Sequence, residues 1–225
     1  MSFAKTSALI INKKLSSHFL ILLLVSVLIQ LWPVFLTQPA RFAVRIAICN
    51  ALLLVCAAAI FRSLPGKILA FFLTALLTLN FAIAYSTWSV YQSEFNTVFA
   101  MSILGTHVAE AKSMSGLYLH CLPAAFAYFI VTWFAIKAAS EHVSFRVKTI
   151  GFVLLAVYFG WYSTANWLKK RHDLEVYYPL SSRILTNTPF YTGAEFIIAH
   201  RDNALAEKIS QHSVNYPALQ YHETG

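Results

Sequence analysis

Ser93–Met114 reads SEFNTVFAMSILGTHVAEAKSM, a partly polar stretch set between two strongly apolar runs. Phe95, Val98, Phe99, Ser102, Ile103 and Thr106 recur in it at helical spacing. That spacing predicts an amphipathic helix over about 93–114, lying along a bilayer surface with its apolar side down. Ser93 stands where a capping hydroxyl would start it. Thr106 and Glu110 are four residues apart and so share a helix face, which Ser102 extends toward the N-terminus. A chain that only had to cross a membrane could join the flanking runs with a few turn residues.

Those flanking runs belong to a set of five: about Phe19–Leu36, Phe42–Phe61, Ile68–Val90, Leu119–Ala138 and Thr149–Leu168. Each is long enough to cross roughly 30 Å of hydrocarbon as a helix. In hydrocarbon the backbone must pair with itself, which excludes isolated strands. Composition agrees, since 58% of the 225 residues are hydrophobic and only 12% are charged. Soluble domains carry about 25% charged residues. The chain therefore falls in the membrane class.

Lys5, Lys13 and Lys14 precede the first run, as in a signal peptide. That run is too long for a signal core, and no small-x-small cleavage pattern follows before Trp32-Pro33, so it is read as a retained span. Basic residues set the orientation. With the N-terminus in the cytoplasm, Lys5, Lys13, Lys14, Arg62, Lys67, Lys137, Arg146 and Lys148 lie inside, against Arg41, Lys112, Lys169, Lys170 and Arg171 outside. The formal charge of +8 is spread over both sides and fits anionic lipid rather than nucleic acid.

The predicted architecture is an all-α membrane protein. A five-span transmembrane domain occupies 1–168, the surface helix joins spans three and four, and 169–225 form a partly helical tail outside the cell membrane. Thr192 or Thr188-Pro189 can start a tail helix that runs to about Lys208 or Ser210. The tail is too short for its own soluble core, so it either packs on the bundle or leads into something more. Cys49, Cys56 and Cys121 make no disulfide framework and read as small buried side chains.

Candidate site residues are few. Ser102, Thr106, Asn96 and Glu110 form the polar side of the surface helix and can hold a cationic or hydrogen-bonding headgroup. Glu110 can equally cap the helix or pair with Lys112 or Lys170. Arg45 can snorkel to the surface or meet a lipid phosphate or Glu94, and Asn50 and Asn80 read as hydrogen bonds between helices. There is no HExxH, paired-cysteine zinc pattern, Gly-rich phosphate loop or G-x-S-x-G elbow, and the eight histidines are scattered. The residues by themselves leave room for a non-enzymatic lipid-binding or assembly protein. The odd span count argues against an inverted-repeat transporter.

SEFNTVFAMSILGTHVAEAKSM also resembles the segment between the third and fourth spans of bacterial phosphoethanolamine transferases, which modify lipid A and lipopolysaccharide core. SSRILTNTPFYTGAEF resembles that family's bridging region, and NYPALQYHETG the residues before the first strand of its soluble domain. The family's Thr-x-x-Ala-Glu pattern falls on Thr106, Ala109 and Glu110, which implies that Glu110 serves the donor headgroup. Phe95, Asn96 and Thr97 stand where some members have Tyr-Asp-Thr, and Ser102 where some have Asn. The resemblance implies an inner-membrane enzyme with the N-terminus cytoplasmic and the C-terminus periplasmic. Its donor would be phosphatidylethanolamine and its acceptor lipid A or core. Zinc and a threonine nucleophile would lie in a soluble catalytic domain beyond Gly225. No cofactor and no nucleic-acid partner are expected of these 225 residues.

Overall fold

The computed structural model describes residues 21–106, 112, 116, 119–142, 144–170 and 184–213. Seven helices organise them. Five form a bundle: α1, described over Ile21–Thr37, α2 (Ala40–Ile60), α3 (Leu64–Tyr91), α5 (Leu122–His142) and α6 (Phe145–Lys170). The short α4 (Thr97–Gly105) and the tail helix α7 (Tyr191–Ser213) lie together at one end, called below the α4 end.

Four bundle helices, α2, α3, α5 and α6, are long and apolar enough to cross a membrane, whereas α1 is described over a shorter length. Five bundle helices thus coincide with the five apolar runs, and four of them meet the length a span requires. The helices exceed the runs because polar ends complete them. Ser63 accepts the Gly66 N–H at 3.1 Å and so starts α3, putting Pro65 in its first turn rather than in a loop. Gly66 is needed there, because a Cβ would sit 1.7 Å from the Ile60 carbonyl oxygen. Pro123 likewise occupies the first turn of α5, where its missing donor costs little.

In the centre of the bundle, α2 touches α3, α5 and α6, and α3 packs on α5. Leu54, Ala57, Phe61, Leu77, Phe81, Tyr128 and Ile136 fill the space between them. Helix α1 closes the bundle through a 2.8 Å hydrogen bond between the Ser26 and Thr132 hydroxyls and an edge-on contact between Trp32 and Trp88. The opposite faces leave Leu24, Leu28, Phe72, Leu76, Leu79, Phe126, Val153 and Trp161 exposed. These faces suit lipid, since so much exposed apolar surface is foreign to a monomer in water. Cys49, Cys56 and Cys121 are free and buried, as expected.

The tail is docked into this bundle. Asn80, 3% exposed on α3, accepts two hydrogen bonds at its Oδ1: one from the Thr192 N–H at 3.0 Å and one from the Thr192 hydroxyl at 2.6 Å. Tyr191 beside it enters a cluster of Leu31, Val34, Ala43, Ile46 and Ala84, with its ring edge-on to Phe42. The helix start expected at Thr188-Pro189 or Thr192 is thus found at Tyr191. Asn50 does not form the interhelical bond expected of it, since its carboxamide lies beside the Tyr128 hydroxyl without hydrogen-bond geometry. Arg45 is exposed, as a surface-reaching side chain would be, and among the described residues it forms no ion pair with Glu94. Its guanidinium bonds Asn187 Oδ1 at 3.2 Å and lies over the Tyr162 ring.

Asn80→Leu leaves both Thr192 donors without their acceptor and is expected to cost about 1–3 kcal/mol, while Thr192→Val, which keeps the N–H bond, costs about 1 kcal/mol. Thermal unfolding in detergent, with proteolysis of α7 as a local probe, measures both. Equal losses would contradict the proposed division of the two bonds.

Candidate functional site

Helix α4 begins three residues later than the capping reading of Ser93 predicts. Helix α3 continues to Tyr91, and Gln92 ends it in the left-handed conformation, with φ 52° and its N–H on the Trp88 carbonyl at 2.8 Å. Phe95 is then drawn into the core at 3% exposure, so 93–96 stay non-helical. Asn96 takes the capping role. Its Oδ1 accepts the Val98 N–H at 3.0 Å and the Phe99 N–H at 3.2 Å. Of the predicted polar face, Asn96 therefore holds the start of the helix.

The helix also stops sooner than expected. Thr106 has left it, with φ −73° and ψ 127°, and its hydroxyl donates to the Ser102 carbonyl at 2.6 Å. Gly105 just before it weakens the helix, and the hydroxyl satisfies a carbonyl that the broken ladder frees. Ser102 and Thr106 do meet, but as a helix ending. Glu110 lies outside the described residues.

The apolar residues of α4 are divided between the protein and the outside, rather than all facing the bilayer as the surface-helix reading expected. Phe95, Phe99, Ala100 and Met101 pack on Phe196 and Ala199 of α7 and on Ile83 of α3. Ring contacts run from Tyr91 to Phe99, from Phe99 to Phe95 and from Phe95 to Phe196. The exposed side carries Val98, Ile103 and Leu104 with the Ser102 hydroxyl among them. That side is available to lipid.

Docking of α7 creates a second polar constellation that the sequence reading did not assemble. Glu94, between α3 and α4, accepts a hydrogen bond from the Gln38 amide at the end of α1. Glu195 on α7 accepts one from the Thr97 hydroxyl at 2.6 Å. Burial, and then the neighbouring Glu195 charge, push the Glu94 carboxyl above its ordinary value. Burial followed by the charges of Glu94 and Glu195 raises the Tyr191 phenol, which places that phenol within the field of both acids. Glu94 was visible in the opening stretch, but Thr97 and Glu195 are 98 residues apart, and no local periodicity links them.

Residues 8–210 of the chain match the family described as the transferase YhbX N-terminal domain. Two curated relatives, each named "Putative transferase YhbX", come from Escherichia coli strain K12 and Escherichia coli O157:H7. Both are 29% identical over 168 residues, which are 72% of this chain and 31% of the relative. The chain thus spans under a third of the length of the curated relatives it matches. No solved structure matches.

The Glu94 shift predicts a pH dependence. A carboxyl whose folded value is raised binds more protons folded than unfolded, so its contribution is fully present below the ordinary value near 4.5. That contribution is lost as pH rises from there through the raised folded value. Docking of α7 is expected to weaken over that interval, and Glu94→Gln to remove this dependence. Hydrogen exchange of α7 amides against pH measures it, and an unchanged profile in the variant would refute the assignment.

Proposed function

The chain belongs to the transferase YhbX N-terminal domain family, and on that premise we propose that it is the membrane-embedded, donor-positioning part of a phosphoethanolamine transferase. The donor is phosphatidylethanolamine and the acceptor is lipid A or lipopolysaccharide core. The bundle sits in the bacterial inner membrane with its N-terminus cytoplasmic and the α4 end periplasmic. The observation that carries this reading is the packing of α4 on α7. It ties the helix that presents Val98, Ile103 and Leu104 to the tail that follows the last span, so the tail is held in register with the lipid surface.

Each named residue has a physical task in this reading. Asn96 fixes the start of α4, while Ser102 and Thr106 offer hydroxyls at its far end to a headgroup. Glu110 supplies the carboxylate for the headgroup's ammonium. Holding a donor in one orientation can lower a barrier by several kcal/mol, because freedom is lost on binding rather than at the transition state. Zinc and a threonine nucleophile belong to a catalytic part outside these residues, where the metal would activate the nucleophile and stabilise charge on phosphorus. Among the described residues no group of three or more His, Cys, Asp or Glu side chains could hold a metal. The described residues do not fit zinc, and no step is routed through a metal at them.

Glu110→Gln in the chain reconstituted in nanodiscs is expected to weaken phosphatidylethanolamine binding about tenfold at unchanged thermal stability, the loss of one charge-assisted hydrogen bond. Equal binding by both forms would count against the assignment. A large loss of thermal stability would show instead that Glu110 serves the fold.

A further inference from the structure

The lipid-facing surface of the bundle is broken between α3 and α5 by a crevice of about 700 Å³. Thr78 and Ala125 lie at its floor, where the Thr78 hydroxyl oxygen is buried and Ala125 is 7% exposed. Leu119, Leu122 and Phe126 stand at its rim, each more than half exposed. Pockets that hold small organic molecules measure about 300–1,000 Å³. Walls this apolar offer water too few partners to retain it. Atoms with no neighbour on one side also forfeit their dispersion contacts. A crevice of this kind on a span therefore takes up hydrocarbon.

The two ends of the crevice differ. Thr78 lies near the middle of α3, and Ser89 follows it by eleven residues. That separation is about three turns, so both residues share one helix face, with Ser89 about 16 Å nearer the α4 end. There Ser89 Oγ and His120 Nε2 are hydrogen-bonded at 3.0 Å, and Cys121 Sγ lies 3.3 Å from the same nitrogen. His120 is exposed and adjoins Leu119 of the rim. Its bonds engage one ring nitrogen, which leaves the other to meet a headgroup. Half of a hydrocarbon core roughly 30 Å thick is about 15 Å. From its polar mouth to its floor, the crevice thus spans the depth of one leaflet.

We propose that this crevice holds one acyl chain of a glycerophospholipid from the leaflet at the α4 end, with the lipid's phosphate and glycerol at Ser89 and His120. Shape selects this occupant over a second copy of the chain. Helices associate in membranes through small residues that let backbones approach. The rim of Leu119, Leu122 and Phe126 holds a helix off, whereas a flexible chain passes between these side chains. The site requires no particular group beyond the phosphate, so it stands apart from the donor-lipid reading above.

The test places the full chain in phosphatidylglycerol nanodiscs doped with a phosphatidylcholine that carries a diazirine near the end of one acyl chain. Adducts formed on illumination are mapped by mass spectrometry. They are expected to concentrate on Thr78, Ala125 and Phe129, in preference to Leu28 of α1 and Val153 of α6, which are at least half exposed. Leu122→Trp changes an exposed rim residue and fills the crevice from above, so it should abolish the crevice adducts and keep those on Leu28 and Val153. His120→Ala leaves the walls intact and should lower the crevice adducts by loosening the headgroup. Glu110→Gln should leave them unchanged, which separates this site from the donor reading. Adducts spread evenly over the exposed faces of the bundle overturn the site, and so do crevice adducts that survive Leu122→Trp. A wild-type dimer that joins its copies along α3 and α5 and excludes the probe overturns it in favour of a second copy. Crevice adducts unchanged in His120→Ala overturn the headgroup contact.

Discussion

The Asn80 carboxamide, buried within α3, accepts both the backbone N–H and the hydroxyl of Thr192. A helix start carries N–H groups with no partner inside the helix, and at a solvent-exposed end water would take them. Here one of them is led into an apolar bundle, where an unpaired donor is expensive. The side chain of a span therefore completes the tail helix. This exchange fixes the start of α7 in depth and direction, and the other contacts at that end follow from it. Tyr191 is carried into the Leu31, Val34 and Ala43 cluster, and Phe196 and Ala199 are brought against α4.

That placement also settles the electrostatics. Glu195 lies one turn beyond Tyr191 on α7, so seating the helix start sets its carboxylate beside Thr97 and in the field of Glu94. The fold accepts repulsion between two acids at the same end where a neutral hydrogen bond anchors the tail. The anchor is insensitive to pH and the acidic pair is not. A titration at this end therefore acts on a helix already held by Asn80, which limits how far α7 can be displaced.

Several elements were legible because their signals are local. Five apolar runs announced five bundle helices. The tail helix was readable from Thr188, Pro189 and Thr192. The surface helix was only half legible. Phe95, Val98 and Phe99 have helical spacing, but spacing does not reveal whether an apolar side meets lipid or protein. Ser93 looked like the cap until Gln92 ended α3 in the left-handed conformation and Phe95 was buried, which moved the cap to Asn96. The helix ends at Gly105, short of the predicted 114.

By itself, the sequence determined that the chain is helical, apolar in span-length blocks and equipped with a polar stretch between two of them. These properties follow from hydrophobic periodicity and backbone pairing, which act over a few residues. Tertiary structure alone decided that Asn80 would serve the tail rather than another span, and that Thr97 would meet Glu195. It also decided that Glu94 would lie in the field of Glu195. Such pairings join residues about a hundred positions apart. They exist only because α7 buries its start in the bundle, and no local pattern encodes which buried acceptor that start will find.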